Sequence, residues 1–248
     1  NASEAQFGAL TTCTNQPGYA WINHPLINDI IIKLKKENRV DYIVFFAHAG
    51  LEHYDIPLIE WRNRYRELCD LGVDCIVASH PHVPQGYEIY GEKIIFYSLG
   101  NFYFPKIDNL GKVEHGYSLI IDFKKNNPIS FEIIYHIIEN KTINQISKSE
   151  SIIDFQILNS KLEREVYDKL IDSLYVDAYN KICYPYYASV FNAVINSDRV
   201  CSKIKKVIKQ LFLGKRNQDK RELLLLHLIR NETYRYITLK ALKDKYNV

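Results

Sequence analysis

Two uninterrupted apolar runs, "DYIVFFAHAG" at residues 41–50 and "DCIVASH" at residues 74–80, bracket an amphipathic segment, and few folds accept that succession. Each run has strand length and no alternation, which predicts strands buried on both faces. Between them "DIPLIEWRNRYRELCDLG" places Leu58, Trp61, Tyr65, Leu68 and Cys69 on one stripe. Pro57 suits its first helical turn and Gly72 its C-terminal cap. A further helix is predicted upstream, where Pro25 follows Asn23-His24 and Leu26, Ile27, Ile30, Ile31 and Leu34 recur at three and four. Helix, strand, helix, strand at short spacing is the signature of a βαβ unit with parallel pairing.

Downstream the texture changes. "YEIYGEKIIFYSLGN" reads as two strands around a turn at Gly91, and "HGYSLIIDF" with "ISFEIIYHII" as a hairpin. The polar stretch near "NKTINQISKSES" breaks the pattern and predicts a boundary. The expected organisation is an α/β domain over residues 1–140, a linker over 141–157 and a helical region over 158–248. In that last region "SKIKKVIKQLF" reads as the solvated face of a bundle, with a membrane-surface helix as the alternative. The dense run Leu223–Leu226 calls for burial, and Asn217 or Asp219 for a cap at its start.

Composition excludes several classes. A formal net charge of +3 over 248 residues is too mild to argue for nucleic acid or an anionic membrane, and no nucleotide-binding spacing appears. The five cysteines, at 13, 69, 75, 183 and 201, form no CxxC pair and no disulfide framework. No apolar run is long enough to cross a bilayer, and no signal peptide opens the chain. With no Met at all and the start "NASEAQFGAL", the chain reads as part of a longer protein.

The chemistry-bearing residues gather at predicted strand ends. His48 closes the first run, His80 and His82 follow the second, and Asn101 ends "IIFYSLGN". In open α/β sheets ligands bind at the carboxyl ends of the strands. On an extended segment His80 and His82 point to one side, ~6.5 Å apart at their bases, and Pro81 is expected to hold that form. Such a pair can grip one metal, or one metal each in a dinuclear site with ions ~3.5–4 Å apart. Neutral imidazole suits zinc, iron and manganese. His24, His115, His136 and His227 lack comparable context and receive no role.

At these residues the sequence resembles a known family. "HAGLEHYDIP" and "LGVDCIVASHPHVPQGYEIYGEKIIFYSLGNF" are similar to the C-terminal half of the bacterial capsule synthesis, or poly-γ-glutamate synthesis (CapA-like), domain. The likeness runs from about Phe7 to Phe123. It implies a calcineurin-like metallophosphoesterase fold, a layered β-sandwich flanked by helices. It implies His48, His80 and His82 as metal ligands, His82, Glu52 and Asn101 as the catalytic group, and Gln85 near the site. Ala49 replaces the usual aromatic and Ser79 the usual glycine. The family's N-terminal half, source of its other ligands, is expected to lie outside this chain.

The implied function is capsule or poly-γ-glutamate biosynthesis through metal-dependent hydrolysis or transfer at phosphate or amide bonds. One or two divalent ions (Mn, Fe or Zn) would serve it. A non-catalytic polymer-binding or assembly component of capsule export is the alternative. The implied partners are capsular polymer, a phosphorylated small substrate or other capsule synthesis proteins, and the implied setting is the cell envelope.

Overall fold

The computed structural model describes residues 2–4, 19–103, 113–125, 127–140, 142–190 and 214–247. They form two compact units, Asn1–Leu170 and Ile171–Val248. The first holds a six-stranded sheet in the order β2-β1-β3-β4-β6-β5. Its strands are β1 (Ala2–Ser3), β2 (Ala20–Trp21), β3 (Val44–His48), β4 (Cys75–Ser79), β5 (Tyr87–Tyr90) and β6 (Lys93–Phe96). All neighbours pair in parallel except β5 with β6, which turn back at Gly91.

Helices α1 (Pro25–Lys36) and α2 (Ile59–Leu71) supply the crossovers. His24, given no role from sequence, caps α1: its Nδ1 accepts from the Leu26 amide at 3.1 Å, and Pro25 takes the first helical position. Pro57 lies just outside α2 rather than in its first turn, because Leu58 is the N-cap. Trp61, Tyr65, Leu68 and Cys69 are buried, as the stripe requires.

The parallel pairing of β3 with β4 stands, but burial of β3 on both faces does not. Phe46 is 54% exposed between buried Phe45 and Ala47, so the strand covers a core on one side only. The apolar run hid this alternation.

A second, antiparallel sheet joins β7 (Glu114–Asp122), β8 (Ser130–Glu139) and β9 (Thr142–Ile146). The last strand lies within the stretch expected as a linker. Its polar residues face outward along an edge, which a strand tolerates better than the apolar pattern alone suggests. The two sheets pack face to face. Cys75, Val77, Ile94 and Phe96 of one meet Tyr117 and Tyr135 of the other, with Ile153 and Leu158 closing the core. Phe96 and Phe131 meet edge to face at 5.0 Å. The chain is thus an α/β fold in which a parallel-rich sheet is flanked by helices. Helix α3 (Phe155–Ser160), capped by Asp154, leads into the helix Arg164–Ala178.

The second unit is helical among its described residues. A π-helical turn, Tyr179–Cys183, precedes the helices Tyr184–Val190, Gly214–Arg230 and Glu232–Tyr246. The helix Gly214–Arg230 begins upstream of Asn217 and Asp219, so neither marks its start. Its leucine run is not a buried stripe: Leu228 is buried while Leu223, Leu226 and Ile229 are exposed. The segment "SKIKKVIKQLF" lies outside the described residues. No described helix is long and apolar enough to cross a membrane.

Candidate metal centre

Register brings the histidines together. His48 pairs with Ser79 across the β3–β4 ladder, so the next residue, His80, emerges beside it at the carboxyl edge. The loops beyond are laced to each other: the Ala49 amide donates to the Ser79 carbonyl at 3.0 Å and the His53 amide to the Pro81 carbonyl at 2.8 Å. Gly50 sits at φ 134°, and a Cβ there would meet Pro81 Cγ at 2.9 Å. Only glycine lets the two loops close this tightly.

The backbone at the histidine pair differs from the extended form expected. β4 ends at Ser79, and His80 and His82 take φ values of 109° and 62°. Pro81 bars the helical region for His80 but does not keep it in the strand. Positive φ in non-glycine residues costs about 1–3 kcal/mol each and concentrates at functional sites. The imidazoles converge through this turn, not through strand alternation. Ring centroids lie 4.8 Å apart for His48 and His80 and 5.9 Å for His80 and His82.

Single contacts define what each ring can do. His82 Nδ1 is 2.8 Å from Asn101 Oδ1, while Asn101 Nδ2 donates to Glu114 Oε2 at 2.8 Å. The carboxylate fixes the amide, and an amide oxygen can only accept, so His82 carries its proton on Nδ1. In that tautomer Nε2 is the nitrogen that can ligate. His80 Nδ1 and His48 Nε2 stand 3.2 Å apart. Two ligands on one ion with ~2.1 Å bonds in tetrahedral geometry stand ~3.4 Å apart, so this spacing suits a shared cation. Burial, then the neighbouring His82, hold the His48 pKa below the ordinary imidazole range, which favours the neutral, ligating form.

Ligand atoms of Glu52, His80 and His82 all fall within 4.8 Å of one another. The donor set, imidazole nitrogens with one carboxylate, fits Mn, Fe or Zn. Of the residues expected from sequence, Glu52, His80 and His82 form this cluster, while His48 joins it through His80 and Asn101 through His82. Gln85 does not join them, since its side-chain amide donates to the Tyr54 carbonyl at 2.7 Å. Beside His82 opens a cavity of about 670 Å³, lined by His53, Asn101, Glu114, His115, Ile157 and Lys161 among others.

Three participants escaped the sequence reading. Glu114 orients Asn101 from the start of β7. Buried His136 donates Nε2–H to the Asn101 carbonyl oxygen at 3.0 Å. Glu4, directly after β1, is 3% exposed, and its Oε1 lies 3.6 Å from His80 Nε2. Each acts through pairing between distant segments, which no local motif announces.

Comparison with known proteins finds relatives over the first part of the chain. Residues 1–106 match the family model described as bacterial capsule synthesis protein PGA_cap. The capsule biosynthesis protein CapA of Bacillus anthracis is 38% identical over 101 residues, 40% of this chain and 24% of that relative. The PGA biosynthesis protein CapA of Bacillus subtilis (strain 168) is 34% identical over 121 residues, 48% of this chain and 30% of that relative. The chain thus matches less than a third of the length of either curated relative.

Proposed function

We propose that this chain, whose residues 1–106 match the bacterial capsule synthesis family, serves capsule or poly-γ-glutamate biosynthesis as a metal-dependent hydrolase or transferase. The observation that carries the reading is the convergence of His48, His80, His82 and Glu52 at one sheet edge, beside a cavity large enough for a polymer end or a small phosphorylated substrate.

One or two ions of the Mn, Fe or Zn class, held by His48, His80, His82 and Glu52, would supply Lewis-acid polarisation of a phosphoryl or carbonyl oxygen. The chain's own residues do the rest. His82 presents a Nε2 lone pair because Asn101 holds its other proton. Glu52, at the exposed rim, is the carboxylate of this ligand set. The cavity wall beside His82 holds the substrate against these groups and limits bulk water. The proposed setting is the cell envelope, where capsular polymer is handled.

Metal-loaded protein incubated with a chromogenic phosphomonoester, a phosphodiester and a γ-glutamyl amide tests the reading. Turnover of one substrate class, lost in His82→Ala, is expected. Bound metal without turnover of any class would favour the polymer-binding role instead.

A further inference from the structure

A buried carboxylate beside a metal-site histidine has a specific chemical use. Glu4 reaches this position through the sheet: β1 pairs with β3 so that Ser3 stands opposite His48, and the Glu4 amide donates to the His48 carbonyl at 3.2 Å. Its side chain then turns inward. Oε2 accepts from the Gly50 amide at 2.9 Å, and Oε1 faces His80 Nε2 at 3.6 Å. A carboxylate this deeply buried is costly unless hydrogen-bonded or paired with positive charge. The Gly50 amide satisfies one oxygen, and the His80 ring is set before the other.

We infer that Glu4 is a positioning residue for His80: its carboxylate holds the Nε2–H, fixing the tautomer in which the Nδ1 lone pair faces an ion shared with His48 Nε2. The inference rests on the metal-centre reading above. Three features support it. Ligating histidines almost always give their other ring N–H to a carboxylate, carbonyl or water, which fixes the ring and raises its basicity. His80 Nδ1 is the nitrogen that lies 3.2 Å from His48 Nε2, so Nε2 is the one left to be held. Glu52 also faces Nε2, at 3.9 Å, but its side chain is 40% exposed against 4% for Glu4. Water competes for Glu52 far more than for Glu4, and Glu4 is the nearer. The 3.6 Å separation exceeds hydrogen-bond length, so the proposed bond requires the two atoms to approach by roughly 0.5 Å.

Glu4→Gln separates this role from a structural one. The glutamine carbonyl still accepts from Gly50, but the charge that polarises His80 is gone. Calorimetric titration of the full chain with Zn²⁺ or Mn²⁺ is expected to show affinity 10–100-fold weaker in the variant. The melting temperature of the metal-free protein should change far less than that of the metal-loaded protein. Unchanged affinity would overturn the assignment of Glu4. A wild-type chain that binds neither ion would instead overturn the metal-centre reading itself. A second measurement needs no variant: ring-nitrogen NMR of the zinc-loaded wild type should find His80 protonated at Nε2 and ligated at Nδ1. Ligation through Nε2 would refute the proposal.

Discussion

Gly116 lies in β7 where the second sheet touches Asn101 beside the candidate metal centre, and Gly116→Ala is a sharp test of how the site is held. A Cβ at this position would overlap the Asn101 carbonyl oxygen and stand 2.7 Å from His136 Nε2. The two atoms it strikes are the donor and acceptor of one buried hydrogen bond, so the added methyl cannot settle without parting them. Overpacking costs about 1–3 kcal/mol, and loss of the bond adds about 1 kcal/mol. The alanine returns about 0.5–1 kcal/mol by restricting the unfolded chain. The net expectation is destabilisation by about 2–3 kcal/mol, a fall of roughly 5–10 °C in melting temperature for a unit of this size. Because Asn101 fixes the His82 tautomer, metal affinity should fall as well. Thermal unfolding followed by circular dichroism, with calorimetric metal titration of the folded variant, measures both. A variant as stable as wild type would show that β7 can move away from Asn101 without cost, and would refute the rigid link between second sheet and site.

Other perturbations probe the scaffold. Asp74 is buried, which by itself raises its pKa, but bonds from Lys35, Lys93 and the Ile43 amide outweigh burial and hold it below the ordinary carboxylate range. Its contribution is therefore present above about pH 4 and is lost as pH falls through the depressed folded value. Denaturant unfolding of wild type and Asp74→Asn should differ at neutral pH and converge in acid; a gap independent of pH would contradict this. Glu88 gathers Arg62 at 2.9 Å, Arg66 at 2.7 Å and the Tyr97 hydroxyl at 3.2 Å, so Glu88→Gln leaves buried guanidinium charge uncompensated. A loss of about 3–5 kcal/mol in urea unfolding is expected, and less than 1 kcal/mol would mean the cluster is well solvated. Burial pushes the Cys69 and Cys75 thiols up to about 12, so both should resist iodoacetamide at pH 8 in the native state and react on unfolding. Rapid native labelling of either would show the core open.

Much of the fold was legible because it is written locally. The stripe of α2, the Gly72 cap, the turn at Gly91 and the β7–β8 hairpin each depend on residues within one short window. The gathering of His48, His80 and His82 at one sheet edge was legible for the same reason, since strand ends can be found from strands. What stayed hidden depends on pairing across the chain. Glu4 and His80 are brought together only by β1 lying beside β3, and Glu114 and His136 reach Asn101 only because the second sheet folds over the first. Phe46 looked buried because apolar runs do not say which face a sheet leaves open. The positive φ at His80 and His82 ran against local expectation, since Pro81 restricts its neighbour to regions that usually read as extended.

The central claim is that His48, His80, His82 and Glu52 form a divalent-metal centre. Elemental analysis of the protein, purified without chelators and then offered Mn²⁺, Fe²⁺ or Zn²⁺, tests it most directly. Stoichiometric uptake of one of these ions, abolished in the His80→Ala/His82→Ala double variant while the fold remains intact, is the expected result. A folded wild-type chain that takes up none of the three ions, or a double variant that binds as tightly as wild type, would contradict it.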